Sequence, residues 1–466
     1  MLAAGCGGGS SGATTSGTSS TATVTIDTAK QYQRIAGFGV SEGFGQAKTL
    51  MNAPASVQKR VLNLLYSPRD GAGLTILRNE ISADRGFTIE PKAPSRPNGK
   101  PSYLTLAQVD QDQGQLWFAK QIKAEYGASV FADAWSAPAF MKSNHSAING
   151  GTLCGVPGTN CKSGDWRQAY ANYLVQYATD YAAVGVPLTY VGPENEGNLS
   201  VPQDSMIISP AQTANFMQVL GVALARSGLS TRAECCATES WSYAQAYATA
   251  IGTDKAANAA TALFTSHGYF AAPGSSLKGW SKPVWQTEWA PFGHQPWDPA
   301  WDDGSLSSGF TWAQNIDTGL TAANLGAFLY LWGANTSTTA MTGPNTGLVE
   351  VKGNTVASSG RLWAFAGYSR FVRPGAVRLG TTTSRADLEA SAFRNPDGST
   401  AVVVLNSAHS RETATFSLRG LDAAHVTPYL TDTTHQLSPQ TRITVRNSAF
   451  TATLPPRSLV SYELGS

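Results

Sequence analysis

Leu188-Thr189-Tyr190-Val191-Gly192 is a short apolar run that opens directly into Pro193-Glu194-Asn195-Glu196-Gly197-Asn198. Gly-Pro closes the strand. Two carboxylates and an amide then crowd its C-terminal end. A helical stretch at 166–183 precedes the run, and another at 210–227 follows it. The same texture recurs from 35 to 370. Strands are predicted at 35–40, 74–79, 129–135, 188–192, 232–237, 263–267, 284–288 and 327–332. Helices are predicted at 56–66, 106–126, 166–183, 210–227, 242–251, 310–324 and 361–371. Between the sixth and seventh strands the helical pattern is faint. Eight regular strand–helix units predict an α/β fold, a (β/α)8 TIM barrel. A doubly wound sheet is the alternative, and the regularity of eight units favours closure.

After Pro374 the texture changes. Short alternating runs at 377–379, 388–394, 400–406, 413–418, 425–430, 442–445 and 458–464 predict an all-β module, most simply a sandwich. Asn395-Pro396-Asp397-Gly398 is a hairpin turn signal. The run at 23–26 lies outside the barrel pattern and is expected to add a strand to this module. The domain expectation is therefore 1–22 as signal and linker, 23–34 as an N-terminal strand of the side domain, 35–373 as the barrel and 374–466 as the side β-sandwich.

Residues 7–22 are almost wholly Gly, Ser, Thr and Ala, a flexible linker composition. Leu2-Ala3-Ala4-Gly5-Cys6 before it resembles a bacterial lipobox, in which Cys6 would carry the lipid anchor. The basic and apolar regions of a full signal are missing, so the chain is expected to begin inside a signal peptide. Four further cysteines remain. Cys154 and Cys161 bracket a short loop that a disulfide can close. Cys235 and Cys236 are adjacent, either bridged or free. An exported, oxidising location follows, secreted or at the cell surface. No run of about 18 apolar residues indicates a membrane span. The net charge of +2 gives no reason to expect nucleic acid. Charged residues make up only 14%, and 12 tryptophans are present. That balance suits a neutral, hydroxyl-rich partner whose C–H faces stack on aromatic rings. Nothing in the spacing indicates a catalytic metal or cofactor.

Barrel chemistry sits at the C-terminal ends of strands. Strand four ends at Glu194-Asn195-Glu196, and strand seven ends Val284-Trp285-Gln286-Thr287-Glu288-Trp289. Glutamates on these opposing strands can face one another across the barrel mouth, as a retaining glycosidase requires. Glu196 is assigned as acid/base and Glu288 as nucleophile. Glu194 competes for the acid role. Asn195 is expected to hydrogen-bond a sugar 2-hydroxyl. Trp135, Trp241, Tyr269, Trp289 and Trp332 cluster at strand ends, and Phe292, Trp297 and Trp301 follow strand seven. Each is a candidate sugar platform or simply core. Arg78, at the end of strand two, is expected to hold the nucleophile by its charge or to cap the barrel mouth. Gly39-Val40-Ser41-Glu42-Gly43 matches the Gly-x-Ser-x-Gly elbow of esterases. It follows the first strand, too early for the usual order of that fold.

Further stretches carry a resemblance: Gly37-Phe38-Gly39, Ala134-Trp135-Ser136-Ala137-Pro138, Ser266-His267-Gly268-Tyr269, Trp285-Gln286-Thr287-Glu288-Trp289 and Ser369-Arg370-Phe371-Val372-Arg373-Pro374-Gly375-Ala376. From about 30 to the C-terminus the chain resembles glycoside hydrolase family 30. Gly164-Asp165-Trp166-Arg167-Gln168-Ala169-Tyr170, the Cys235-Cys236 pair and Asp204-Ser205-Met206 are similar to its fungal-type xylanase subfamily. The resemblance implies retaining hydrolysis of β-1,4-xylan, with His267 among the residues around the substrate. Two departures stand out. Many members have Pro after the Asn-Glu pair, where this chain has Gly197. Members that need glucuronic acid branches bind them with a basic residue. The fungal-type Arg is replaced here by Gln46, and 332–351, where the bacterial type places its clamp, has no Lys or Arg. A bidentate carboxylate clamp is absent from both places, so strict dependence on uronate branches is not expected. Cleavage is expected to be that of an endo-xylanase or to release xylobiose from a chain end, the second favoured if the long connection at 84–103 walls off the cleft. A β-1,6-glucanase or galactanase on the same scaffold and a non-catalytic carbohydrate-binding protein are the other readings.

Overall fold

The computed structural model describes residues 21–84, 86–97, 99–291, 296–336 and 346–465. Cys6 and the linker, and Phe292, therefore lie outside the described residues. The first strand, β1 (Ala22–Arg34), precedes eight parallel strands: β2 (Gly37–Ser41), β3 (Ile76–Ile81), β4 (Ser129–Ala134), β5 (Leu188–Gly192), β6 (Arg232–Thr238), β7 (Thr261–His267), β8 (Val284–Glu288) and β9 (Ala327–Tyr330). They pair in chain order, and β9 closes on β2 through Gly37–Ala327 to Val40–Tyr330. The result is a closed (β/α)8 barrel.

Strand period places every second side chain inside the barrel. The lower interior is apolar: Ile76, Phe131, Tyr190, Leu263, Trp285, Ala327 and Leu329 form one cluster. Trp285 meets Phe131 and Tyr190 edge-on, with ring centroids 5.7 and 5.3 Å away. Two residues further along the same strands, the interior turns polar. Ile76 gives way to Arg78, Phe131 to Asp133 and Tyr190 to Gly192. The opposite faces, such as Val130 and Ala132, pack outward on the helices in the main core. Burying large aromatics below stabilises the barrel and fixes the polar layer above it at the mouth.

Helices follow every barrel strand except β7. Residues 268–283 form no helix, since Pro273, Gly274, Gly279 and Pro283 interrupt any helical register. After β9 a small three-stranded sheet (Ala334–Asn335, Val349–Lys352 and Thr355–Ser358) intervenes before the last helix, Gly360–Ser369. Cys154 is bonded to Cys161, and Cys235 to Cys236 within β6.

The C-terminal β-sandwich takes β1 between two of its own strands. β1 runs antiparallel to Val377–Thr383 and parallel to Glu412–Arg419. The hydrogen-bonded path ends on Ala449–Leu454, which pattern reading does not pick out. The path folds back on itself, so that Phe416 and Phe450 reach Tyr462 at 5.0 and 5.4 Å across a separate apolar core. Trp301 Nε1 donates to the Arg457 carbonyl at 2.8 Å, and Arg457 pairs with Asp302 at 2.8 Å. These contacts lock the sandwich to the barrel loop after β8.

Candidate active site

A cleft of about 560 Å3 opens at the C-terminal end of the barrel strands. Asn195, Glu196, Trp135, Tyr269, Glu288 and Trp289 all line it. One carboxylate oxygen of Glu196, one of Glu288 and a ring nitrogen of His267 lie within 4.8 Å of one another. Two strands that pattern alone places opposite each other thus bring their terminal glutamates together.

The two carboxylates sit in different surroundings. Glu288 makes an ion pair with Arg78 through Oε2. It accepts a hydrogen bond from the Tyr269 hydroxyl at 2.9 Å on Oε1. Burial, then the neighbouring Glu288 and Glu196 charges, push the Tyr269 phenol well above its usual range, so it stays a donor. Among the described residues, Glu196 meets no Lys or Arg at hydrogen-bond range. Its Oε1 lies 2.9 Å from His267 Nδ1. Burial, then the Glu239 carboxylate, push Glu196 up to about 8. Its side chain keeps 16% exposure at the cleft, so solvent tempers that shift. Glu196 also occupies the left-handed region at φ 52°, held there by its N–H donating to the Ala237 carbonyl at 2.8 Å. Burial pushes His267 down to about 4, so its ring is neutral near pH 7.

Arg78 is the hub beneath them. It is fully buried, and burial alone would disfavour its charge. The Asp133 and Glu288 carboxylates overcome this and hold it charged. Nε reaches Asp133 Oδ2 at 2.5 Å, and Nη2 reaches Asn195 Oδ1 at 2.6 Å. The guanidinium also lies 4.5 Å from the Trp135 ring centroid. Because Asn195 spends its oxygen on Arg78, its amide N–H groups are the ones left to meet a ligand.

Other candidates fall elsewhere. Glu194 is wholly buried behind the cleft, with Thr213 Oγ1 donating to its carboxylate at 3.0 Å. Gly197 is tied to it, since a Cβ there would stand 2.7 Å from both Glu194 Oε2 and Ile208 Cγ2. Neither Trp241 nor Trp332 lines the cleft, which corrects their reading as platforms. Trp241 opens the helix Trp241–Thr253 and donates to Gln286 Oε1 at 2.7 Å. Trp332 is 1% exposed and packs edge-on beneath Phe44. Trp297 donates to the Gly347 carbonyl, and Trp301 faces the sandwich. Ser41 is buried, its Oγ accepting from the Gly43 N–H at 3.4 Å. The one buried histidine among the described residues is engaged with Glu196, so among these residues no buried histidine serves Ser41 as a base. Gln46 is buried and accepts from Thr336 Oγ1 at 2.6 Å.

A family model described as O-glycosyl hydrolase family 30 matches residues 21–278, and one for the glycosyl hydrolase family 30 beta sandwich domain matches 375–462. The chain belongs to glycoside hydrolase family 30. It is 42% identical to the catalytic domain of GH30 xylanase C from Talaromyces cellulolyticus. That match covers 95% of this chain and 100% of the other, with a TM-score of 0.89. Glucuronoxylanase XynC of Bacillus subtilis (strain 168) is 25% identical over 377 residues, covering 77% of this chain and 80% of its own. Lysosomal acid glucosylceramidase of Mus musculus is 24% identical over 405 residues, covering 82% and 77%. The protein is thus a glycoside hydrolase with xylanases among its relatives.

Within this family 30 cleft, the lining residues that sequence reading does not single out include Phe44, Glu239, Phe270 and Leu306. Glu239 lies just past β6 and accepts from Asn198 Nδ2 at 2.6 Å. Phe270 is 91% and Leu306 80% exposed, both on the rim. All four stand in turns beyond strand ends, where period carries no information. The connection at 84–103 does not line the cleft among the described residues. It is tied to the cleft wall at its root, where Asp84 N–H donates to Asp204 Oδ2 at 3.1 Å.

Proposed function

We propose that this glycoside hydrolase cleaves β-1,4-xylan by double displacement, with Glu288 as nucleophile and Glu196 as acid/base. The observation that carries the reading is the approach of the two carboxylates to within 4.8 Å. Retaining enzymes hold them roughly 5–5.5 Å apart, whereas inverting enzymes need about 6.5–9.5 Å to admit a water. The surroundings support the same division of labour. A buried acid raised to about 8 holds its proton at neutral pH and can give it to the leaving oxygen. A carboxylate matched to a guanidinium and a phenol is aimed and ready to attack the anomeric carbon. Once the glycosyl ester forms, Glu196 has lost its proton. It then takes one from the water that releases the sugar.

Xylan is favoured by the 42% identical xylanase structure, which spans nearly the whole chain. Gln46 stands buried and engaged where a uronate-binding Arg would lie, which supports action on unbranched chain. The lining of Trp135, Tyr269 and Trp289 suits flat, uncharged sugar rings. The test is product profiling on glucuronoxylan, arabinoxylan, linear xylo-oligosaccharides and a β-1,6-glucan. Xylo-oligosaccharides released from linear substrate are the expected result. Cleavage of the β-1,6-glucan alone would overturn the substrate assignment.

A further inference from the structure

Directly beneath the cleft carboxylates, three inward side chains form one layer: Arg78 on β3, Asp133 on β4 and Glu234 on β6. Asp133 Oδ2 is taken by Arg78 at 2.5 Å. Glu234 Oε2 accepts from Thr265 Oγ1 at 2.5 Å. The remaining oxygens, Asp133 Oδ1 and Glu234 Oε1, are buried and have no hydrogen-bond donor. They converge on one spot. A Cβ built on Gly192 would stand 2.4 Å from Asp133 Oδ1 and 1.6 Å from Glu234 Oε1. Two buried carboxylates that face one another cannot both ionise cheaply. Two buried acceptors without a donor are costly as well. One proton between them removes both penalties. Burial, then the Asp133 carboxylate, push Glu234 well above its usual range, in the same sense.

We propose that Asp133 and Glu234 share one proton and are positioning residues for the nucleophile, holding Arg78 against Glu288 with a single compensating charge. The inference rests on the reading of Glu288 given above. With the proton in place, the acid pair carries one negative charge, which Arg78 matches. Glu288 then keeps its own charge for attack. When Glu288 is esterified, the cluster beneath it is neutral and leaves no unpaired charge. Glu194, beyond the end of β5, faces Asp133 from one side; burial, with a smaller push from the Asp133 charge, raises it well above its usual range, so it adds no charge to the layer. His267 on β7 faces the layer from another and is neutral. Gly192 is required here because any side chain would occupy the place where the two oxygens meet.

Neutron diffraction from wild-type crystals at pH 7 reads the proton without any variant. A deuteron between Asp133 Oδ1 and Glu234 Oε1 is expected, and two bare oxygens would overturn the proposal. The coupling to Glu288 is read in kinetics on an aryl xyloside. Glu234→Ala should lower kcat/KM on the order of 100-fold and displace the acid limb of its pH profile. Glu234→Gln mimics the neutral acid and can donate to Asp133, so it should recover at least about tenfold of that loss and restore the limb. Gln performing no better than Ala would overturn the neutral-acid assignment. A deuteron together with an unmoved acid limb would keep the shared proton and overturn its action on Glu288.

Discussion

Nδ1 of His267 lies 2.9 Å from Oε1 of Glu196. The ring's other nitrogen lies 3.9 Å from Glu288 Oε2, so one buried imidazole spans the two cleft carboxylates. Being neutral, it orients Glu196 without adding charge, whichever of the two donates. His267→Ala should therefore lower kcat on xylan by about 10- to 100-fold. The loss on an aryl xyloside with a good leaving group should be smaller, because that step needs little acid help. Equal losses on both substrates, measured at steady state, would contradict an orienting role on the acid.

Activity should fall above about pH 8, as Glu196 loses the proton it must deliver. The nearby Glu239 charge opposes that ionisation. Glu239→Gln removes the charge, makes Glu196 easier to ionise and moves the basic limb of kcat/KM to lower pH. The limb should not return to the ordinary carboxylate range, because burial remains the larger cause. A pH–rate profile of the variant unchanged from wild type would remove Glu239 from the account.

Two neighbouring glutamates are separable by chemistry. Glu196→Ala should lose turnover on xylan but regain it with azide on an activated aryl xyloside, since the small anion fits where the carboxylate stood. Glu194→Gln, an isostere of an acid that burial keeps neutral, should hold turnover within about threefold of wild type. Azide rescue in a Glu194 variant instead would transfer the acid role to that residue.

The barrel was legible because its strands are apolar runs bounded by Gly and Pro. Leu188–Gly192 and Val284–Glu288 form with the bounds read from sequence. The glutamates were legible for the same reason, since strand ends meet at the barrel mouth. Ala449–Leu454 escaped because Ala and Thr give little polar contrast between its faces. Trp241 and Trp332 show a different limit. Sequence places them beside the mouth, but which way an indole turns depends on partners such as Gln286 and Phe44, distant in the chain. Arg78 is the instructive case. A lone Arg at a strand end reads equally as a cap, and only its shared contacts with Asp133, Asn195 and Glu288 give it a role.

Phe270 stands 91% exposed at the cleft rim, in the left-handed region at φ 60°. An apolar ring held out in a disfavoured backbone region suits contact with a sugar beyond the reacting one. Phe270→Ala should raise KM for long xylo-oligosaccharides about 5- to 10-fold, in line with loss of one stacking contact. The same variant should leave kcat on an aryl xyloside nearly unchanged. A loss of kcat on that small substrate would mean the residue acts on the catalytic centre instead.

The central claim is that Glu288 forms a covalent bond to the sugar. Its most direct test is proton NMR of the first product released from a linear xylo-oligosaccharide, recorded before mutarotation. Two successive inversions through the Glu288 ester predict the β-anomer. An α-anomer formed first would mean a single inversion by water, and would contradict the nucleophile role of Glu288.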